Sequence, residues 1–165
     1  MHFKSEVGGM ERFMELYEAS YKDMYRLAYY YMGNAEDAED AVQETALTAY
    51  EHFARLKNKE AFRPWIFKIL VNHCKKSLKK RKRQEFLKED PEISYEPGPT
   101  SQAELLELLG KLGEEERLIV TLTVFGGYRG EEIARILNKN HNTIRSKYRR
   151  ALKKLKQEYI REERF

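Results

Sequence analysis

A chain of 165 residues, 41% hydrophobic and 35% charged, can bury one core or two small ones and is too apolar to be wholly disordered. Its formal charge is only +4, and Cys74 is the sole cysteine, which excludes an intramolecular disulfide. No run approaches the roughly eighteen apolar residues of a transmembrane helix, and the charged N-terminus has no signal-peptide core, so a cytoplasmic location without membrane insertion is expected.

The first element reads as a helix. Phe13, Leu16, Tyr17, Ser20, Met24, Leu27, Ala28 and Tyr31 repeat at the helical period, and Gly33 stops the run. Asn34 is placed to cap a second helix, with Asp37 three residues on. Within that helix, Glu36 to Phe53, the residues Ala38, Ala41, Val42, Thr45, Ala49 and Phe53 share the core side. The opposite side shows Glu36, Asp40, Gln43, Glu44 and Leu47, with Asp37 and Glu39 at its edges. From Leu27 to Ala54 there is no Lys or Arg, so this face repels a phosphate backbone. Leu47, an apolar anchor ringed by charge, fits a protein contact. A merely solvated acidic face is the bland alternative. A carboxylate metal site at Asp37, Asp40 and Glu44, serving a nuclease, is another, but no second carboxylate or His cluster completes it. The four histidines show no ligand spacing with Cys74 or with each other, and neither metal nor cofactor is expected.

Pro64 marks a third helix starting at Trp65 and running into Lys75 to Arg83, where seven of nine residues are basic. Lys68, Asn72, Lys75 and Lys79 align on one stripe, opposite Ile66, Ile69, Leu70 and His73. Lysines there contact phosphates without reading sequence, whereas Asn72 can both donate to and accept from a base. The polar loop Leu56 to Arg63, with Asn58, Lys59 and Arg63, lies just upstream. Loop and stripe together suit a base lifted from a single strand. Trp65 reads as core rather than as a stacking platform.

Three of the four prolines fall between Pro91 and Pro99, a stretch without periodicity. It reads as an extended, semi-rigid linker, residues 87–100, between an N-terminal domain (9–86) and a C-terminal one (101–161). In the latter, Ser101 to Lys111 is amphipathic through Leu105, Leu106, Leu108 and Leu109. Leu118 to Phe125 is β-branched enough to pass for a strand, but its place before a helix-turn-helix favours helix. That motif begins near Gly130 with Ile133, Ala134, Ile136 and Leu137, and turns through Asn138-Lys139-Asn140-His141-Asn142. Thr143 opens its second helix, whose inward stripe is Ile144, Tyr148, Ala151, Leu152 and Leu155. Facing out are Asn142, Ser146, Arg149, Arg150 and Lys153, and no acidic residue occurs from Lys139 to Gln157. An apolar back with Asn, Ser and Arg in front suits the major groove of duplex DNA.

Asp37-Ala38-Glu39-Asp40-Ala41-Val42-Gln43-Glu44-Thr45, Trp65-Ile66-Phe67-Lys68-Ile69-Leu70-Val71-Asn72, Glu131-Glu132-Ile133-Ala134 and Thr143-Ile144-Arg145-Ser146 with Arg150-Ala151 follow in order. In this the chain resembles bacterial RNA polymerase sigma factors of the extracytoplasmic-function group. The resemblance implies an all-α, non-enzymatic transcription initiation factor of two small helical domains. Asp37, Asp40, Gln43, Glu44 and Leu47 would meet the β′ clamp of core RNA polymerase, with the β flap as a further contact. Asn58, Lys59, Arg63, Lys68, Asn72, Lys75 and Lys79 would capture the minus-ten element of promoter DNA. Asn142, Thr143, Arg145, Ser146, Arg149, Arg150 and Lys153 would read the minus-thirty-five element as duplex. An anti-sigma factor is implied as a partner. The family's Pro-x-Gly-Thr before the recognition helix is here Asn140-His141-Asn142-Thr143, a departure in the segment that carries promoter specificity. The alternative is an autonomous helix-turn-helix regulator that never binds polymerase; it leaves the acidic face and the Asn72 stripe without a task.

Overall fold

The computed structural model describes residues 2–87 and 100–163, which form seven α-helices and two short 3-10 turns. Residues 88–99 of the expected linker lie outside the described residues.

Helix α1 (His2–Met32) ends at Gly33, whose φ of +91° is open to glycine and strained for other residues. The chain reverses there into α2 (Ala35–His52). The expected cap is present: the Asn34 side-chain oxygen accepts from the Asp37 amide at 2.8 Å, and its amide group donates to the Asp37 carboxylate at 2.7 Å. Helix α2 buries Ala38, Ala41, Val42, Thr45 and Ala49, mostly small side chains that let neighbouring backbones approach. The buried Thr45 hydroxyl donates to the Ala41 carbonyl at 2.6 Å, so its polarity is satisfied within the helix.

Two 3-10 turns, Phe53–Arg55 and Lys59–Ala61, lead to α3 (Phe62–Leu87). The helix starts at Phe62 rather than Trp65, leaving Pro64 in its first turn, where a missing amide proton costs nothing. Phe13 of α1 meets Tyr50, Phe53 and Phe62 edge-on at 5.4, 5.3 and 5.8 Å, closing a three-helix unit. Trp65 is half-buried and packs against this core, as its neighbours imply.

The second half comprises α4 (Thr100–Gly110), α5 (Glu114–Val124), α6 (Gly130–Leu137) and α7 (His141–Glu163). The β-branched run is therefore helical. The Thr121 and Thr123 hydroxyls donate to the carbonyls of Arg117 and Ile119 at 2.9 and 2.8 Å, which accommodates threonine there. Between α6 and α7, Asn138 adopts a left-handed conformation (φ 52°), and the Lys139 amide returns to the Ala134 carbonyl at 2.8 Å. Helix α7 begins two residues before Thr143, because Asn140 accepts from the Asn142 amide at 2.8 Å. Ile144, Tyr148, Ala151 and Leu155 face inward, but Leu152 is 44% exposed: at 100° per residue it falls at the edge of the stripe, beyond the reach of the packed helices.

The two halves pack on each other through a shared core. Leu118, Ile119, Leu122 and Tyr128 join the same buried cluster as Met24, Leu27, Tyr31, Phe67 and Leu70. Tyr30 stacks on Phe125 at 5.0 Å, and Phe67 meets Tyr128 edge-on at 5.5 Å. Arg117 fixes the seam: its Nε donates to the Tyr31 carbonyl at 2.8 Å and its Nη1 to that of Leu112 at 3.2 Å. Lys82 pairs with Glu114 across the same seam.

Candidate protein- and nucleic-acid-binding faces

The outward side of α2 presents Glu36, Glu39, Asp40, Gln43, Glu44 and Leu47 to solvent, with Leu47 68% exposed. Two carboxylates expected on this face have partners inside the molecule. Asp37 is half-buried, held by Asn34 and by the Arg81 guanidinium at 2.9 Å. The same Arg81 nitrogen donates to the Met32 carbonyl at 2.9 Å, so this group ties α1, α2 and α3 together. Glu44 lies 3.3 Å from His73 Nδ1, while His73 Nε2 is 3.0 Å from the Thr48 hydroxyl. His73, expected among apolar side chains, instead bridges α3 to α2.

An open groove of about 470 Å³ separates these helices, with Asp37, Asp40 and Glu44 on one wall and His73, Lys76, Lys80 and Arg81 on the other. Among the described residues no three His, Cys, Asp or Glu side chains gather to hold a metal ion. Asp40, Gln43 and Leu47 remain as the free centre of the face, joined by a residue the sequence reading passed over. Tyr50, one turn beyond Leu47, is 50% exposed; the i, i+3 spacing from Leu47 was its only signal.

The basic stripe on α3 is partly as expected. Lys68, Asn72, Lys75 and Lys79 are exposed on one line. The upstream loop is more occupied. Asn58 caps the second 3-10 turn by accepting from the Glu60 amide at 3.1 Å. Lys59 donates to the Phe53 carbonyl at 2.6 Å and lies 3.9 Å over the Phe53 ring, so it holds the loop down. Arg63 reaches the Asp23 carboxylate at 3.0 Å and the Gly126 carbonyl at 3.1 Å, with its guanidinium over Phe67.

On α7, Asn142, Thr143, Arg145, Ser146, Arg149, Arg150 and Lys153 are all exposed. The cations on its inner flank, and Lys139 in the turn before it, are neutralised by the first turn of α5. Lys147 and Lys139 both pair with Glu115, and Lys154 pairs with Glu116 at 3.0 Å. Hydrogen bonds from Lys139 and Lys147 hold the Glu115 carboxyl below the usual carboxylate range. Helix α7 therefore carries two kinds of cation, one set spent on α5 and one facing solvent. Glu114, Glu115 and Glu116 had no assigned task in the sequence, although three acids opening a helix after Gly113 are favoured by its dipole.

Known proteins resemble the chain over most of its length. Residues 16–84 match Sigma-70 region 2 and residues 102–155 match Sigma-70, region 4. The RNA polymerase sigma factor SigV of Bacillus subtilis is 33% identical over 150 residues, covering 86% of this chain and 87% of its own. The ECF RNA polymerase sigma factor EcfG of Rhodopseudomonas palustris is 35% identical over 138 residues, covering 74% of this chain and 71% of its own. In fold, the chain is similar to the sigma factor RpoE of Bartonella quintana, solved in complex with the anti-sigma factor NepR. That match has a TM-score of 0.70 and 22% identity over 94% of this chain and 95% of the other.

Proposed function

This chain belongs to the extracytoplasmic-function group of the sigma-70 family, non-enzymatic factors that initiate transcription with RNA polymerase, and from that premise we propose how its surfaces divide the work. Asp40, Gln43 and Leu47, with Glu44 and Asp37 at the margin, form the contact with the β′ clamp of core polymerase. Lys68, Asn72, Lys75 and Lys79 follow the minus-ten strand, with Asn58, Lys59 and Arg63 at the loop end. Asn142, Thr143, Arg145, Ser146, Arg149, Arg150 and Lys153 read the minus-thirty-five duplex, and the second half also meets the β flap. The work takes place in the cytoplasm, where polymerase and chromosome are.

The observation that carries this reading is the segregation of charge. An acidic face with an exposed apolar centre sits on α2, while exposed stripes of cations lie on α3 and α7. A polymerase subunit and a polyanion thus have separate landing sites on one chain.

The packed arrangement of the two halves is the unloaded state. Elements centred about 25 base pairs apart lie ~85 Å apart along a duplex, whereas a compact chain of this length has a radius of gyration near ~15 Å. The halves separate on a promoter, and Arg63 leaves Gly126 when they do. The buried Tyr128 hydroxyl, which has no hydrogen-bond partner among the described residues, gains water at that step. An anti-sigma partner such as the one bound to the Bartonella factor would hold the packed state.

The purified chain mixed with core polymerase is expected to yield transcripts starting at defined promoters. Failure to form a holoenzyme would overturn the assignment of the α2 face.

A further inference from the structure

Gly130 opens α6, yet nothing in its backbone calls for glycine. Among the described residues the glycines with positive φ are Gly33 and Gly127, so Gly130 has no left-handed conformation to excuse it. Glycine in a helix also loses more freedom on folding than alanine does. The reason lies across the turn. A Cβ added to Gly130 would stand 3.1 Å from His141 Nε2 and 3.4 Å from its Cδ2. The imidazole of His141, the first residue of α7, therefore rests on the bare backbone at the start of α6, half-buried, in the space a methyl group would take.

The two helices are otherwise held at their termini and in the core. The Glu132 carboxylate accepts from the Arg129 amide at 3.1 Å, which fixes the start of α6. The left-handed Asn138 fixes its end, and the Ile144 amide donates to the Asn140 carbonyl at 3.1 Å as α7 begins. Ile133, Ala134 and Leu137 of α6 are buried in one cluster with Ile144 of α7. Beside the turn and that cluster, the His141 ring is a third point of contact, within four residues of the exposed Asn142, Thr143 and Arg145. A methyl group at Gly130 would make this contact give by a few tenths of an ångström. Hydrogen bonds to base edges work over a window of about 2.7–3.2 Å, so such a shift matters to short side chains. Long Arg and Lys side chains on phosphates follow it without loss.

We propose that His141, seated on Gly130, is a positioning residue that sets the tilt of α7 against α6 and with it the bases preferred at the minus-thirty-five element. It rests on the reading of α7 as the helix that meets duplex DNA. The segment Asn140-His141-Asn142-Thr143, which departs from the family's Pro-x-Gly-Thr, thus carries its own means of fixing the recognition helix. A side chain packed on a glycine does there what no proline is present to do.

In the test, holoenzyme assembled from core polymerase and the full chain selects binders from a pool of random-sequence duplexes, and both enriched elements are read by sequencing. The variants are Gly130→Ala, His141→Ala, the two combined, and Arg149→Ala as the control for α7. Gly130→Ala and His141→Ala should each change the preference at one minus-thirty-five position or more by about fivefold or more, the lower end of what a mismatched base costs. The minus-ten preference, assigned to α3, should stay the same. In the combined variant the added methyl meets no ring, so its preference should match that of His141→Ala. Unchanged preference in Gly130→Ala and His141→Ala, with binding or preference altered in Arg149→Ala, overturns the positioning role and leaves the α7 reading standing. If Arg149→Ala is unaltered too, the α7 reading falls with it. A His141→Ala that lowers affinity evenly over all sequences and flattens its salt dependence, with no change in Gly130→Ala, makes the imidazole a phosphate contact and likewise overturns the proposal. Should Gly130→Ala lose its helical signal, His141→Ala and the combined variant carry the test, since neither presses a methyl group on the ring.

Discussion

The guanidinium of Arg63, on the first turn of α3, reaches across the two halves of the chain to the carbonyl oxygen of Gly126 at 3.1 Å. Its other partner, Asp23 on α1, lies at 3.0 Å. One side chain thus closes a triangle between α1, α3 and the turn after α5. Gly126 is itself irreplaceable there, because an added Cβ would lie 2.6 Å from the Leu122 carbonyl and 2.7 Å from the Tyr128 ring. Arg63→Ala removes both bonds. The side chain is 37% exposed, so solvent screening limits the loss to about 1 kcal/mol of stability. Denaturant unfolding is the check, and an unchanged midpoint would show that the contact carries no weight.

Arg117 has a larger effect on the same seam. Its guanidinium is mostly buried and satisfies the carbonyls of Tyr31 and Leu112. Arg117→Met keeps the aliphatic stem but leaves both carbonyls without that donor, at a cost of about 2–3 kcal/mol. Much of this should appear as separation of the halves rather than unfolding of either. Small-angle scattering of the variant is expected to show a larger radius of gyration with helical content retained. A radius equal to that of the unaltered protein refutes the role given to Arg117.

Asp37 and Asp40 are three residues apart on α2 and should behave oppositely. Asp37 is bonded to Asn34 and Arg81, so Asp37→Ala should lower fold stability by about 1–2 kcal/mol. Its polymerase affinity should change less than that of Asp40→Lys, which reverses an exposed charge on the proposed contact face. Equal affinity losses in the two variants would contradict this division.

What sequence alone made visible follows from range. The period of α2, the Asn34 cap and the polar front of α7 depend on neighbours within a few residues, and those are written in the order of the chain. The start of α7 lies two residues before the one its sequence suggests, because Asn140 and Asn142 are equally good caps by type and only the backbone shows which one accepts. By type alone Asp37, Lys59 and Arg63 are candidate contacts for polymerase or DNA; their partners within the chain, Arg81, the Phe53 carbonyl and Gly126, are fixed by packing. The union of the two halves through Tyr31 and Arg117 has no periodic signature at all. Residues 86 positions apart leave no local trace of meeting.

Alkaline pH should reveal the buried thiol of the first half. Burial pushes the Cys74 thiol up from 9.0 to about 12, so the folded state keeps a proton that the unfolded chain releases near pH 9. A raised folded pKa contributes stability that is complete below the unfolded value and is lost as pH rises from about 9 toward 12. Between pH 9 and 10 the slope approaches about 1.4 kcal/mol per pH unit for this group alone. Tyr128, likewise raised by burial from 10.0 to about 12, adds to the loss above pH 10. Cys74→Ala should therefore flatten the fall in stability between pH 9 and 10. If denaturation at pH 8, 9 and 10 gives both proteins the same slope, the thiol is not its source.

The cations of α7 offer a test within a single helix. Arg149 faces solvent on the outer side, whereas Lys147, two residues earlier, is bound to Glu115 of α5. Charge counting treats them alike; the structure does not. Arg149→Ala should cost about 1–3 kcal/mol at the upstream element if it reads a base, or reduce the salt dependence of binding by about one phosphate contact if it only touches backbone. Lys147→Ala should leave both quantities near their original values and instead weaken the packing of α7 on α5, because Glu115 retains only Lys139. Binding of the holoenzyme to an upstream-element duplex at several salt concentrations, set beside the unfolding midpoint of each variant, separates the two roles. A loss of DNA affinity in Lys147→Ala matching that in Arg149→Ala would mean that α7 meets DNA with its α5-facing side, and the assignment of its outer face would fall.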